Sequence, residues 1–342
     1  MTSPTRLVRA TDDELGPAVE AAAEELRRGG LVAFPTETVY GLGALATDAA
    51  ALARVFAAKG RPTTDPLIVH VPDATAASGV VVGWDDRAAA LAARFWPGPL
   101  TLVLGRSDRV DAAVGGGRAT VAVRVPAHPV ALELLRAVDG PVAAPSANRF
   151  GGVSPTTAAH VVAEHLTGVA MVLDGGACPL GVESTVLDLT GGRPTVLRHG
   201  GVTVEDLATV LGDVDAPDRA HVPEDRPAAS PGQFLRHYAP STPLVLVEGR
   251  RATVQDLLGR LADVPGGAAE VALPEAPDDA ARGLYAALRE ADGTAGVLVV
   301  AAVDPSGIGR AVNDRLFRAA TGLVVTDATE ATAARVRAVV AP

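Results

Sequence analysis

Hydrophobic and polar positions form short, irregularly ordered blocks over the first 211 residues. Short apolar runs bounded by Gly, Pro or Asp predict buried strands, and stretches with apolar residues three and four apart predict amphipathic helices. The predicted strands are LVAF (31–34), LIVHV (67–71), PLTLVL (99–104), ATVAVRV (119–125), VAAP (142–145), AMVLD (170–174), STVLDL (184–189) and TVLRHG (195–200). Helices are predicted at 17–28, 48–58, 85–95 and 155–166. This irregular mixture favours an α/β fold with a twisted mixed sheet and flanking helices.

Two of these helices carry clear boundary signals. Asp48 stands at the start of the second helix, and Gly60 lies just past its end. For the helix at 155–166, Ser154 is the expected N-cap and Pro155 the expected first helical residue.

The pattern changes twice in the remaining third of the chain. Residues 212–243 are rich in Pro, Asp and Ser and show little periodicity, which predicts a linker. From residue 244 onward strands and helices alternate regularly, which predicts a smaller parallel α/β domain of Rossmann-like type. We therefore expect three segments: a first domain at 1–211, a linker at 212–243 that contacts the active site, and a C-terminal domain at 244–342.

Composition is consistent with two globular domains inside a cell. The 342 residues are 48% hydrophobic, which is enough to bury a sizeable core. The single cysteine, Cys178, excludes a disulfide framework and is expected to be a buried apolar residue. The N-terminus lacks the pattern of a signal peptide, and the apolar runs are shorter than the ~20 residues that span a bilayer. These features predict a cytoplasmic protein.

The charge balance argues against tight nucleic-acid binding. The formal net charge is −10, and no Lys/Arg-rich tail or segment is present in the sequence. Proteins that bind the phosphate backbone normally carry a basic face. A local cationic pocket is still compatible with this composition.

The common signatures of enzymes and metal proteins are absent from the sequence. It contains neither a G-x-x-x-x-G-K-[ST] loop nor a G-x-G-x-x-G after a predicted strand. H-E-x-x-H, paired C-x-x-C and G-x-S-x-G are also missing. A protein-held metal is therefore not expected.

Small polar and cationic residues follow the predicted strands and helices instead. Thr36 and Glu37 lie in a turn after the LVAF strand, a place where sites are often built. Lys59 is the one lysine among the 30 Lys+Arg residues, and Arg61 follows it across the helix-ending Gly60. A cation at a helix C-terminus also offsets the helix dipole, so a simple capping charge is the alternative.

Two further segments extend this polar set. APSAN (144–148) places Ser146 and Asn148 after another buried strand, and GGVSPTTA (151–158) offers the Ser154 hydroxyl and free N–H groups at a helix start. An ordinary helix cap would explain the second segment equally well. Together, the ammonium, the guanidinium, the hydroxyls and the amides suggest phosphate recognition.

These residues belong to a pattern that resembles a known family. FPTETVYGLGA, KGRP, PLIVHV, APSAN and GVESTV (181–186) closely resemble the YrdC-type threonylcarbamoyl-AMP synthase family over about residues 15–202. The paired motifs Lys59-x-Arg61 and Ser146-x-Asn148 are its hallmark. SPGQFLRHYAP (230–240) and AVNDRL (311–316) resemble the long, two-domain form of that family.

The resemblance implies a reaction. L-threonine, bicarbonate and ATP would give L-threonylcarbamoyladenylate and pyrophosphate, for threonylcarbamoyladenosine modification of tRNA next to the anticodon. Separate tRNA threonylcarbamoyl-transfer proteins would use the product, so stable binding of nucleic acid by this chain is not expected. Mg²⁺ is expected with ATP, held mostly by the nucleotide and water.

The resemblance also implies a role for individual residues. Lys59 and Arg61 would be the catalytic pair. The threonine-binding set would be Thr36, His70, Arg124, Ala144 (through its backbone) and Ser184. The ATP-binding set would be Lys59, Arg61, Thr63, Thr120, Ser146, Asn148, Ser154, Arg198 and, from the linker, Tyr238. Two other functions stay open: an RNA-binding module, and a related carbamoyltransferase.

Overall fold

A computed structural model describes residues 5–219, 228–249 and 251–340 of the chain. The chain divides into two compact units, the first formed by Met1–Phe150 with Ser154–Gln233 and the second by Gly151–Val153 with Phe234–Pro342. The predicted segment boundaries at 211/212 and 243/244 remain predictions. Part of the predicted linker, residues 220–227, lies outside the described residues.

The described part of the first unit is built on a mixed sheet of eleven strands. The order across the sheet is β1-β9-β2-β3-β8-β4-β7-β6-β10-β11, with β5 paired to β6. The sheet combines parallel pairs (β1 with β9, β4 with β7, β6 with β10) and antiparallel pairs such as β2 with β3. The strands are β1 (Arg6–Arg9), β2 (Leu31–Phe34), β3 (Gly41–Leu45), β4 (Ile68–His70), β5 (Val81–Val82), β6 (Leu100–Arg106), β7 (Thr120–Arg124), β8 (Val142–Ala143), β9 (Val169–Asp174), β10 (Thr185–Asp188) and β11 (Thr195–Arg198). The predicted mixed sheet is confirmed.

Helices flank this sheet, and the one that follows Asp48 begins and ends where its capping residues predict. Asp48 accepts hydrogen bonds from the backbone N–H groups of Ala50 and Ala51, and Gly60 ends the same helix in the left-handed conformation. The helices are α1 (Leu15–Arg27), α2 (Ala49–Lys59), α3 (Ala74–Val80), α4 (Asp86–Phe95), α5 (Pro129–Val138), α6 (Ala158–Ala163) and α7 (Val204–Leu211). Short 3₁₀ turns lie at Asp12–Glu14 and Ala112–Gly115.

Helix α6 corrects one prediction. It spans six residues and its N-cap is Thr157, whose side chain accepts a hydrogen bond from His160 N–H. The predicted helix at 155–166 with Ser154 as N-cap is therefore wrong. The Ser154 hydroxyl instead donates to Glu183 Oε1 at 2.7 Å, so a residue distant in sequence takes the group that was expected to cap the helix.

The core of the first unit lies on both faces of the sheet. Strand β2 is buried along its whole length, as a central strand between β9 and β3 must be. Gly43 in β3 is required there, because a Cβ at this position would lie 2.8 Å from the ring of Phe34. Cys178 is a buried free thiol, as predicted.

The second unit is a parallel α/β domain, which confirms the sequence prediction. Its sheet has the order β13-β14-β12-β15, and each described pair is parallel. Val247, Leu257 and Val299 lie in its buried core. The elements are β12 (Leu244–Val247), α8 (Arg251–Arg260), β13 (Ala268–Glu270), α9 (Pro277–Ala291), β14 (Val297–Ala301), α10 (Gly309–Ala319), β15 (Val324–Val325) and α11 (Glu330–Val340).

Residues 228–243, the described later half of the predicted linker, contain neither helix nor strand. In the first unit, Arg198 Nη1 donates to Pro231 O at 3.3 Å. In the second unit, Arg318 Nη1 donates to Phe234 O at 3.0 Å, and Arg318 is itself paired with the buried Asp314. Within this segment, Pro231 is thus held by a buried arginine of the first unit and Phe234 by a buried arginine of the second.

None of the helices in the described ranges is long and apolar enough to cross a bilayer.

Candidate active site

Lys59 joins the end of α2 to the segment after β8. Its Nζ donates to Ser146 O at 2.6 Å and to Asn148 O, and the side chain is buried. The backbone N–H of Phe150 in turn donates to Lys59 O at 2.8 Å. Burial, and then the charge of Arg61, lower the pKa of Lys59 to about 7. The ammonium thus contacts carbonyls of another segment and does not cap the end of its own helix.

Arg61 is held in a fixed orientation by its own loop. Its Nη2 donates to Pro66 O at 2.6 Å and lies 3.0 Å from Asp65 Oδ2, while Nε donates to Asp65 O at 3.2 Å. Two backbone acceptors and one carboxylate therefore set the plane of the guanidinium.

Asp65 is a carboxylate surrounded by cations. It is fully buried, and burial raises the pKa of its carboxyl, opposed by the charges of Arg61, Lys59 and Arg198. Three cations grouped near one carboxylate leave an excess of positive charge in a buried place. Such a cluster is suited to a polyanion.

Arg198 lies at the end of β11 and reaches Ser184. Its Nη2 donates to Ser184 Oγ at 3.0 Å and its Nε to Ser184 O at 3.1 Å. The Ser184 hydroxyl also lies 2.8 Å from Thr101 Oγ1 on β6. Ser184, expected on the threonine side, is thus in direct contact with a cation expected on the ATP side.

Arg124 forms a second cationic centre at the end of β7. Its Nε donates to Gly98 O at 3.2 Å, Nη1 donates to Thr38 Oγ1 at 3.1 Å, and Nη2 lies 2.6 Å from Glu37 Oε1. Thr36 organises the turn that carries these partners, because its Oγ1 accepts hydrogen bonds from the N–H groups of Thr38 and Val39. All of these groups are buried.

His70 is the neighbour of Arg124 in the parallel pairing of β4 with β7. Burial, and then the charge of Arg124, lower the pKa of His70 to about 3, so the ring is neutral near pH 7. Its Nδ1 lies 3.2 Å from Ile68 O, and hydrogen bonds to the backbone of Ile68 and Val142 oppose the lowering of this pKa. The edge of this ring packs against Phe34.

The remaining predicted residues differ in their surroundings. The N–H of Ala144 donates to Ile68 O at 2.9 Å, and the backbone of Ser146 forms an isolated antiparallel β-bridge with Gly41. Thr63 is exposed in the loop after α2, and Thr120 is half-buried at the start of β7.

Tyr238 is the one predicted residue that belongs to the second unit. There it stacks on Tyr285 with ring centroids 5.8 Å apart, and the guanidinium carbon of Arg315 lies 5.0 Å from its ring centroid. Its φ of 59° is left-handed, so the backbone turns sharply at this point.

The predicted residues of the first unit thus form two groups. Lys59, with its acceptors Ser146 and Asn148, lies with Arg61 and Arg198 around Asp65. Thr36, Arg124 and His70 form the other group, and Ser184 contacts Arg198 of the first. Sequence reasoning missed Asp65, and it placed Glu37 in the turn without a role, although its position next to Thr36 was a usable signal.

A resident metal does not fit the described residues. No three His, Cys, Asp or Glu side chains in the described ranges are grouped so that they could hold an ion. The carboxylate at the centre of the first group, Asp65, is already neighboured by three cations, which would repel a metal.

Comparison with known proteins identifies the family. One family model, Sua5/YciO/YrdC, described as telomere recombination, matches residues 24–200. A second, described as the C-terminal domain of threonylcarbamoyl-AMP synthase, matches residues 202–321. The chain belongs to the threonylcarbamoyl-AMP synthase family.

Full-length relatives agree with this membership. The threonylcarbamoyl-AMP synthase of Pyrococcus abyssi is 42% identical over 317 residues, which are 88% of this chain and 93% of that protein. The Bacillus subtilis threonylcarbamoyl-AMP synthase is 39% identical over 335 residues, 92% of this chain and 96% of that protein. The family predicted from the motifs is thereby confirmed.

Solved structures of the family have the same fold. P. abyssi Sua5 complexed with L-threonine matches with a TM-score of 0.89 at 39% identity, covering 95% of this chain and 99% of that chain. A doubly substituted P. abyssi Sua5 matches with a TM-score of 0.90 at 38% identity, covering 94% of this chain and 98% of that chain.

Proposed function

We propose that this chain is an L-threonylcarbamoyladenylate synthase, a nucleotidyltransferase that makes L-threonylcarbamoyl-AMP and pyrophosphate from L-threonine, bicarbonate and ATP. The observation that carries the proposal is the pair of buried cationic groups in a chain that belongs to this family. One group suits a triphosphate, and the other suits the carboxylate of an amino acid. Ser184, proposed on the threonine side, accepts a hydrogen bond from Arg198 of the ATP side.

On the ATP side, Lys59, Arg61 and Arg198 provide fixed positive charge. An ammonium held by two carbonyls and a guanidinium held by its own loop are already oriented before the ligand arrives. The other residues that we propose on this side are Thr63, Thr120, Ser146, Asn148, Ser154 and Tyr238.

On the threonine side, Arg124 is the proposed partner of the substrate carboxylate. Thr36, the Ala144 backbone and Ser184 complete the proposed set with His70, whose ring is neutral near pH 7.

The chemistry requires positioning and charge stabilisation and no covalent enzyme nucleophile. The neutral threonine amine combines with bicarbonate to give a carbamate and water. The carbamate oxygen then attacks the α-phosphorus of ATP, and pyrophosphate leaves with the electron pair of the broken P–O bond. Fixed cations stabilise the negative charge that develops on the phosphoryl oxygens. We propose that Mg²⁺ enters as part of Mg·ATP.

The product is proposed to serve threonylcarbamoyladenosine formation in tRNA through separate transfer proteins, in the cytoplasm. The relatives from P. abyssi and B. subtilis support the first step of that route, since both are threonylcarbamoyl-AMP synthases.

Pyrophosphate release tests the proposal. We expect purified protein to release pyrophosphate from ATP only when both L-threonine and bicarbonate are present. Lys59→Ala should lower kcat/KM by about 10²–10³-fold, the usual cost of losing one preorganised donor. Equal release with serine, or with no amino acid, would contradict the threonine assignment, and release that depends on carbamoyl phosphate would favour the carbamoyltransferase alternative.

A further inference from the structure

Glu37 and Arg124 form a buried ion pair with unused bonding capacity. Arg124 Nη2 lies 2.6 Å from Glu37 Oε1, and the two side chains are 4% and 11% exposed. Among the described residues, neither carboxylate oxygen of Glu37 accepts a hydrogen bond and Nη2 of Arg124 donates none. Buried charges are normally hydrogen-bonded as well as paired, because desolvation is otherwise costly. The pair can therefore accept and donate further hydrogen bonds.

Both members of the pair are held in place from elsewhere. Glu37 O accepts a hydrogen bond from Leu180 N–H at 2.9 Å, and the turn around Glu37 is organised by the Thr36 hydroxyl. Arg124 keeps its contacts with Gly98 O and Thr38 Oγ1 independently of Glu37. A ligand can thus bind both charges without either side chain losing its anchor.

The pair matches the charge pattern of an α-amino acid. Such a molecule presents a carboxylate and an ammonium on the same carbon, and the site presents a guanidinium and a carboxylate side by side. We infer that Glu37 binds the ammonium of the amino-acid substrate and accepts its proton, while Arg124 binds the substrate carboxylate. This inference rests on the proposed function and deepens it, since it assigns the group that makes the amine nucleophilic.

The step is balanced as a proton transfer followed by carbamate formation. R–NH₃⁺ and the Glu37 carboxylate give R–NH₂ and the Glu37 carboxylic acid. R–NH₂ and HCO₃⁻ then give R–NH–COO⁻ and water. The transfer is favoured in this site because Arg124 then pairs with the substrate carboxylate. The Glu37 carboxylate is left beside the substrate ammonium, and both are buried. A desolvated pair of this kind is stabilised by neutralisation.

The other titratable groups around Glu37 are poor acceptors for this proton. Arg124 is a permanent cation. Burial lowers the pKa of His128, whose Nδ1 already accepts the N–H of Val130, and burial raises the pKa of Cys178 to about 12. His70, beside Arg124, has a pKa lowered to about 3 by burial and that charge.

Kinetics of Glu37→Gln give the first test. The amide keeps the size of the side chain but cannot take the proton, so kcat should fall by about 10²–10⁴-fold at neutral pH. The loss should shrink as the pH rises toward the pKa of the threonine amino group, because free amine then forms without the enzyme. Glu37→Asp should retain part of the activity. Glu133→Gln is the matched control, since Glu133 is an exposed carboxylate that pairs with Arg136 on α5, and it should behave as wild type.

Binding gives a second test that does not depend on turnover. Calorimetry measures the affinity of the protein for L-threonine and for 3-hydroxybutanoate, which is the same molecule without its amino group. Wild-type protein should prefer threonine by about 10- to 100-fold, the typical gain from a charged hydrogen bond, and Glu37→Gln should lose most of that preference. Thermal unfolding of each variant shows that the compared proteins are folded.

The outcomes separate this inference from the proposed function. If Glu37 were only a counter-ion for Arg124, Glu37→Gln would alter the binding of both ligands alike and show no recovery at high pH, and the inference would be overturned. If wild-type protein binds threonine with the expected preference but releases no pyrophosphate, the proposed function fails while the ammonium site stands. Failure of the wild type to bind threonine at all would overturn both.

Discussion

Lys59 is a position where the identity of the cation matters. Its ammonium is buried and donates to two carbonyl oxygens, those of Ser146 and Asn148. A guanidinium is a broad planar fork with five donors, whereas an ammonium is a compact charge that fits between two carbonyls and still has a third proton to donate. A chain that otherwise uses arginine throughout therefore has a physical reason to use its one lysine here.

The lowered pKa of Lys59 makes a prediction about ATP binding. Because that pKa is about 7, most of the free protein has a neutral Lys59 roughly one pH unit above this value, and bound phosphates should raise the pKa again and draw a proton onto Nζ. ATP affinity should therefore fall as the pH rises above about 7. Calorimetry in buffers of different ionisation heat should record proton uptake for wild type.

The control for that prediction is Lys59→Arg, which carries a permanent charge and should lack this uptake. Equal proton uptake in both proteins would mean that another group titrates.

At the same scale, the motifs predicted most of the polar residues but not their pairing. Asp65 is only four residues from Arg61, yet nothing in the sequence indicates that Lys59 and Arg198 also lie near it. Glu37 was visible in its turn, but its contact with Arg124 joins residues 87 positions apart, counting from 37 to 124. Such pairings depend on the strand order, which a single sequence does not specify.

The elements themselves followed local signals where those signals were unambiguous. Helix α2 begins after Asp48 and ends at Gly60, as predicted. Helix α6 was predicted too long and with the wrong cap, because the Ser154 hydroxyl bonds to Glu183 and Thr157 caps the helix instead. Strand β3 was not among the predicted strands, and close packing against Phe34 is what requires its Gly43.

Gly60 is the element-scale position with the clearest prediction. Its φ of 65° is left-handed, and a Cβ there would meet no atom within 4 Å, so only backbone strain opposes an alanine. Gly60→Ala should lower the free energy of unfolding by about 1–2 kcal/mol. It should also lower kcat/KM, because Gly60 joins Lys59 to Arg61.

Chemical denaturation measures this change. Gly192→Ala is the matched control in the same unit, since its φ is not left-handed and its Cβ would also meet open space. That variant should stay within about 0.5 kcal/mol of wild type. A Gly60→Ala protein as stable as the control would show that the helix end tolerates another conformation.

At the scale of the whole molecule, the two units were predictable to different degrees. The regular alternation after residue 244 predicted a parallel α/β sheet, since short connections and right-handed crossovers leave few alternatives. The first unit was predicted only as a mixed sheet. Its order places β9 between β1 and β2, and β8 between β3 and β4, and such long-range pairings leave no local trace in the sequence.

The overall charge makes a prediction about tRNA. The formal net charge is −10, and the cations of the candidate site are buried. The protein should therefore not retain tRNA in a gel-shift assay at about 0.15 M salt and micromolar protein. A salt series provides the control, because weak electrostatic binding would appear only as the salt is lowered. A stable complex at physiological salt would favour the RNA-binding alternative.

By itself, the sequence determined the family, the fold class and the helix ends with a single good cap, and it predicted a candidate set of site residues. These properties depend on local conformational preference, on periodicity and on contiguous motifs, all of which are written along the chain. Only the tertiary structure decided which charges meet: Arg124 with Glu37, Asp65 with its cations, and Ser154 with Glu183. The reason is that burial makes an isolated charge too costly to keep, so each buried ion's partner is set by the packing of strands far apart in sequence.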